Sequence, residues 1–294
     1  MPDLKAYLSS RQHLVDQSLR KLLPRESASP KTIHEAMRYS VFAGGKRLRP
    51  ILTLAAAEAC GGETEDALAP ACAVEIIHTY SLVHDDLPCM DDDDLRRGRP
   101  TSHKVYGEGM AVLTGDALLT EAFQIIAQTP VAPRYGVREY VSELAGASGS
   151  KQLIGGQVLD LEGEGRKLTK RELVRIHENK TAALLTCSLR LGGMTANATP
   201  KRLEALTTFG YNLGLAFQVI DDILDVTQST EKLGKTAGKD EAADKATYPA
   251  LLGLEKSRAE ARRLTEKALA ALKPFRSHGT RLEEIARYLL EREY

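Results

Sequence analysis

Residues 85–94 hold six aspartates around Leu87-Pro88-Cys89-Met90, and Arg96 and Arg97 follow at once. Two like charges ~5 Å apart repel by roughly 3 kcal/mol at an effective dielectric of about 20, so divalent metal, the neighbouring arginines or bulk water must compensate this run. The solvated-loop reading fits poorly, because the run continues an apolar stretch (Val74, Ile76, Ile77, Tyr80, Val83) and is stiffened by Pro88. An EF-hand also fails: counted from Asp91, the sixth position is Arg96 instead of Gly and the twelfth is Ser102 instead of Glu. A second acidic group, Asp221-Asp222-Ile223-Leu224-Asp225, lies far downstream. On a helix Gln218, Asp221 and Asp225 share one face at i, i+3 and i+7. Magnesium suits such groups, since it takes one or two carboxylates, keeps waters and draws its other oxygens from phosphates.

Basic residues supply the other half of an anion site. Lys46 and Arg49 stand three apart in Gly44-Gly45-Lys46-Arg47-Leu48-Arg49-Pro50, and Lys180 and Lys235 precede threonines. Guanidinium and ammonium groups in these places are what phosphate recognition requires. Gly234-Lys235-Thr236 is not a P-loop, because the first required glycine falls on Ser229 and no strand pattern precedes it. His78 lies seven residues before Asp85, on nearly the same helical face, where it could donate to a diphosphate.

The elements that must carry these groups read as helices. Apolar residues recur at three- and four-residue intervals without sustained alternation, so the chain is expected to be all-α. Leu203, Leu206, Phe209, Leu213, Phe217 and Ile220 predict a helix leading into Asp221, the counterpart of the one leading into Asp85. Breaks are expected at Gly44-Gly45, Gly61-Gly62, 130–133, 163–165, Gly192-Gly193 and Thr199-Pro200, and the charged stretch 254–294 at a solvated helical face. No loop is long enough to divide the chain, so 1–294 is expected to form one domain. Forty Lys/Arg against forty Asp/Glu give no support to a nucleic-acid or acidic-membrane partner. Cys60, Cys72, Cys89 and Cys187 have no CxxC spacing and read as buried or incidental thiols. Met1-Pro2-Asp3-Leu4-Lys5 lacks an apolar leader and no apolar run approaches ~18 residues, so a soluble cytoplasmic protein is expected.

Taken in order, Gly44–Pro50, His78-Thr79-Tyr80-Ser81-Leu82-Val83-His84-Asp85-Asp86-Leu87-Pro88, Gly155-Gly156-Gln157, Lys180-Thr181 and Phe217-Gln218-Val219-Ile220-Asp221-Asp222-Ile223-Leu224-Asp225 resemble the farnesyl and geranylgeranyl diphosphate synthases, the short-chain trans-prenyltransferases. The resemblance implies an isoprenoid synthase-like bundle of long helices around a central cavity, working as a homodimer. It implies three Mg2+ ions, two on Asp85 and Asp91 and one on Asp221, with Asp86 and Asp225 in support. Arg96, Lys180, Thr181, Gln218 and Lys235 would hold the allylic diphosphate, with Lys245 a weaker member. Lys46, Arg49, His78 and Arg97 would hold isopentenyl diphosphate, while Gln157 and Asp160 would line the reaction centre. The implied chemistry is departure of the allylic diphosphate, attack by the isopentenyl double bond and loss of a proton.

Chain length is the finer expectation. Tyr80 lies five residues, ~7.5 Å, down the helix from Asp85, with Ser81 beside it. In the resembling enzymes an aromatic there floors the hydrocarbon pocket. With the Pro88-Cys89 insertion it typifies the bacterial farnesyl type, which makes a C15 product. The alternatives are a C20 geranylgeranyl product, a non-catalytic partner subunit, which would tend to lose an aspartate cluster, and a cyclase, which has no use for a second diphosphate site. Two features depart from the pattern: Ile220 replaces a residue that is often polar, and Arg292-Glu293-Tyr294 replaces a basic tail.

Overall fold

The computed structural model describes residues 3–227 and 246–290. Nearly all of them that are ordered into elements are helical, as the periodicity predicts. The exceptions among the described residues are an isolated bridge, Ala132 to Tyr135, and one hairpin, β1 (Leu95–Arg96) with β2 (Arg99–Pro100).

The helix α4 (Leu68–Asp85) is apolar on almost every face; Ala71, Cys72, Ala73, Val74, Ile76 and Ile77 are all fully buried. A helix apolar all round must lie inside the molecule. Around it pack α1 (Leu4–Leu22), α2 (Lys31–Val41), α3 (Leu48–Cys60), α6 (Glu108–Ile126) and α7 (Val137–Ser148), with the short α5 (Ser102–Tyr106) leading into α6. The 28-residue α11 (Pro200–Thr227), ~42 Å long at 1.5 Å per residue, anchors a second apolar cluster. Into that cluster pack α3, α10 (Ala183–Thr195), α13 (Leu254–Ala271) and α14 (Thr280–Leu290). Each aspartate cluster therefore leaves the core at the C-terminal end of a helix buried in its own apolar cluster. The shorter α8 (Leu153–Gly163), α9 (Lys170–His177) and α12 (Tyr248–Leu252) complete the described elements.

One sequence expectation fails here. Gly192-Gly193 does not end a helix but sits inside α10. A Cβ on Gly192 would lie 2.0 Å from the Thr53 carbonyl oxygen, so glycine lets α10 and α3 touch backbone to backbone. Close approach, not a turn, explains the pair. The helix α6 is long and apolar enough by length and composition to cross a membrane, with a mean hydropathy of 1.2. Its apolar character comes from Ala, Gly, Thr and Leu interrupted by Asp116 and Glu121, and one face packs on α4.

Replacing Gly192 by Ala forces methyl against backbone that cannot rotate away. Overpacking of this kind costs about 1–3 kcal/mol. The G192A variant is expected to melt several degrees lower in calorimetry or circular dichroism, whereas G146A, where a Cβ meets nothing within 4 Å, is expected to melt with the parent.

Candidate active site

After α4 the chain coils back on its own last turn. Asp91 N–H donates to the Asp85 carbonyl (2.8 Å), Met90 N–H to Leu87 (2.8 Å) and Asp93 N–H to Asp86 (3.2 Å), and Asp92 takes a positive φ of 47°. This folding brings like charges together. Burial pushes the Asp85 carboxyl up to about 6; Lys180 opposes that rise and Asp91 adds to it.

Asp86 is 3% exposed and finds its countercharge within the loop: Arg96 Nε donates to Oδ1 at 2.9 Å, Nη2 donates to the same oxygen, and Nη2 also reaches Asp93 at 3.2 Å. Arg96 thus carries the countercharge of both Asp86 and Asp93. Asp92, Asp94 and His103 bring potential ligand atoms within 4.8 Å of one another, and Asp94 also pairs with Lys104 at 2.7 Å.

Between α9 and α10 the helix widens into a single π-turn, Glu178–Ala182, which carries Lys180 and Thr181. Such turns mark functional sites because one extra residue re-aims side chains without breaking the helix. Lys180 Nζ pairs with Asp160 on α8 at 2.6 Å, and Thr181 Oγ1 donates to Gln218 Oε1 on α11 at 2.5 Å. Gly156 makes the approach possible, since a Cβ there would sit 2.3 Å from the Lys180 nitrogen. Lys180, Thr181, Asp160, Gln218, Asp221 and Asp222 line one cavity of about 200 Å³. Lys180 thus lines this cavity with Asp221 and opposes the rise in the pKa of Asp85. Asp222 Oδ2 accepts the Tyr248 N–H at 2.9 Å, a structural use.

The donor set fits a magnesium-held diphosphate. Asp160, Asp221 and Asp222 share the cavity with the Lys180 ammonium, burial disfavours the Asp85 anion, and both ends of the Gln157 amide are buried without a hydrogen-bond partner. Lys235 and Lys245, expected on the allylic side, lie outside the described residues, and Asp225 is buried on α11.

The second basic group also assembles. The hairpin turn gives Arg97 and Gly98 positive φ (55° and 74°), as tight two-residue connections require. It swings Arg97 onto the Gly44 carbonyl, over Gly45, whose missing Cβ leaves room for the guanidinium. Burial and the charges of Arg49, Arg97 and Arg96 hold His78 well below its ordinary pKa, and burial brings Arg49 down to about 10 with its Nε unpartnered. Lys46 is exposed on the same loop. Positive charge concentrated around the unpartnered Arg49 Nε favours an anion there.

Tyr80 is 5% exposed; burial, with Asp85, pushes its hydroxyl up to about 12, and that hydroxyl lacks a partner. Its ring meets His84 edge-on at 5.9 Å, and His84 in turn bonds the Val112 carbonyl at 2.9 Å and fills the space left by Gly115. Ser81 spends its hydroxyl on the His78 carbonyl at 3.0 Å.

Sequence reasoning missed His177. It is buried in the cavity wall, stacked on Tyr248 with centroids 5.7 Å apart, and burial brings its pKa down to about 4. No spacing signal pointed to it, because only the fold brings Tyr248 alongside. The unfolded imidazole takes its proton near 6.5 and the folded one near 4. Stability is therefore full above about 6.5 and falls with pH toward 4, by at most about 1.4 kcal/mol per unit. His177→Phe is expected to flatten the loss of thermal stability between pH 6.5 and 4; a profile unchanged from the parent would assign the acid lability elsewhere.

Comparison with known proteins agrees with this geometry. The polyprenyl synthetase family profile matches residues 30–286. The large subunit 1 of the heterodimeric geranylgeranyl pyrophosphate synthase of Arabidopsis thaliana chloroplasts is 50% identical over 99% of this chain and 80% of its own length. A dimethylallyltranstransferase of Fischerella ambigua is 46% identical over 99% of this chain and 84% of its own. The crystal structure of an FPP/GFPP synthase from Zymomonas mobilis superposes with a TM-score of 0.87 at 37% identity, covering 98% of both chains. Polyprenyl synthetases use Mg2+ through aspartate-rich motifs, the kind of motif that α4 and α11 present here. Family profile, relatives and all-helical fold coincide: the chain belongs to the polyprenyl synthetase family.

Proposed function

We propose that this enzyme condenses isopentenyl diphosphate with dimethylallyl and then geranyl diphosphate, releasing (2E,6E)-farnesyl diphosphate. The observation that carries the reaction is Lys180, poised between Asp85 and the cavity of Asp221. Asp85, Asp91 and Asp221 would hold three magnesium ions. Bound magnesium neutralises the allylic diphosphate and eases its departure. Lys180, Thr181 and Gln218 orient that group, and Lys46, Arg49, His78 and Arg97 hold the second diphosphate so that its double bond faces the nascent allylic cation. The departing diphosphate then removes the proton. The apolar wall around Tyr80 keeps water from the cation.

Tyr80 supports the C15 product, because its ring is buried below Asp85 and braced by His84. A C20 product is the second reading, favoured by the names of most of the curated relatives, which are geranylgeranyl pyrophosphate synthases. Chromatography of the products made from dimethylallyl and isopentenyl diphosphates with magnesium decides between them. C15 is expected from the parent, none without metal, and longer chains from Tyr80→Ala. An active Tyr80→Ala enzyme with an unchanged product would remove Tyr80 as the floor.

We also propose a homodimer. In support, α6 leaves Val112 (41%) and Leu113 (56%) exposed beside Val105 (46%) at the end of α5. Light scattering is expected to give twice the 32.1 kDa chain mass, and Leu113→Glu to shift it toward monomer. A parent enzyme that is active as a monomer would refute the assembly.

A further inference from the structure

We propose that Arg47 is a positioning residue for the isopentenyl diphosphate site, fixing the 44–46 loop against α4 so that Lys46 and Arg49 address one anion together with His78. The inference rests on the assignment of those three residues to that diphosphate.

Arg47 and Arg49 are two residues apart, yet the fold uses them oppositely. Arg47 is 3% exposed and spends each guanidinium nitrogen: Nε on Asp16 of α1 (2.8 Å), Nη1 on Glu75 of α4 (2.9 Å) and Nη2 on the Val41 carbonyl at the end of α2 (2.7 Å). Arg49 keeps an unpartnered Nε among the other positive groups of the site. One guanidinium is committed to protein and the other left for a ligand. Arg47 therefore cannot be read as an anion ligand itself.

Its backbone shows what the anchoring does. Arg47 caps α3 in the left-handed region (φ 50°, ψ 38°), which L-residues adopt only when surroundings impose it. Gly44 and Gly45 before it also have positive φ, 102° and 121°. A loop with three such residues has little conformational preference of its own for this shape. The fork of Arg47 supplies the restraint, aided by Gln12 Nε2 on the Gly45 carbonyl (2.9 Å) and Arg97 on Gly44. Glu75 is 2% exposed and lies one turn before His78 on α4. The ion pair consequently sets where Lys46 stands relative to His78. The three guanidinium nitrogens are spread across a planar fork, and the single nitrogen of a lysine cannot reach all three acceptors with that geometry.

The test uses the full-length enzyme with magnesium and measures kcat, KM for each substrate and melting temperature. Arg47→Gln is expected to raise KM for isopentenyl diphosphate roughly tenfold or more, as displaced binding groups do. KM for the allylic substrate should stay within about twofold. Arg47→Lys should recover part of the loss. Asp16→Asn, at the partly exposed arm of the fork, should give a smaller shift of the same kind and carries the test with Arg47→Lys if Arg47→Gln does not fold. Unchanged KM for isopentenyl diphosphate in folded variants, or parallel loss for both substrates with a lower melting temperature, overturns the positioning role. Lys46→Ala separates the two levels: if it raises that KM while the Arg47 variants do not, the diphosphate site stands and the inference fails. If Lys46→Ala changes nothing, the site assignment falls and takes the inference with it.

Discussion

A carboxylate stands at the wrong end of a buried helix. A helix carries roughly half a negative charge at its C-terminus, where cations are favoured and anions are not. Here α4 ends on Asp85, while Asp221, Asp222 and Asp225 crowd one stretch of α11. Each helix is buried in its own apolar cluster, so neither can shift to relieve the charge. The rest of the site follows from that constraint. Arg96 folds back on Asp86 and Asp93, Lys180 is drawn between the two acidic clusters, and Asp85 is left with a carboxyl that resists ionisation.

The two anion sites are built by different means. Around the proposed allylic site, side chains pair with one another, Lys180 with Asp160 and Thr181 with Gln218. Around the proposed isopentenyl site, burial first and neighbouring cations second lower the basicity of Arg49 and His78.

Much of this was legible in the sequence, and for identifiable reasons. The periodicity of α4 and α11 is strong because each buries a long apolar face, and the acidic runs are conspicuous because their cost is electrostatic and local. What stayed hidden depended on contacts between distant segments. Gly192 reads as a break until Thr53 is known to lie against it. Arg47 is indistinguishable in sequence from Lys46 and Arg49; only Asp16 and Glu75 turn it inward. The pairing of Arg96 with Asp86 shows only once the loop folds back. His177 has no spacing signal, since its partner Tyr248 is remote in the chain.

The π-turn at 178–182 has a consequence for the whole second half of the bundle. Each residue of an α-helix advances ~100° about the axis, so one surplus residue rotates everything beyond it by about a quarter turn. His177 faces Tyr248 before the turn, and Gly192 faces Thr53 after it. Both faces are locked against the core, so shortening this stretch by one amino acid would force a choice between them. Length here is as strictly constrained as chemical identity, and a deletion would be felt some ten residues from where it was made.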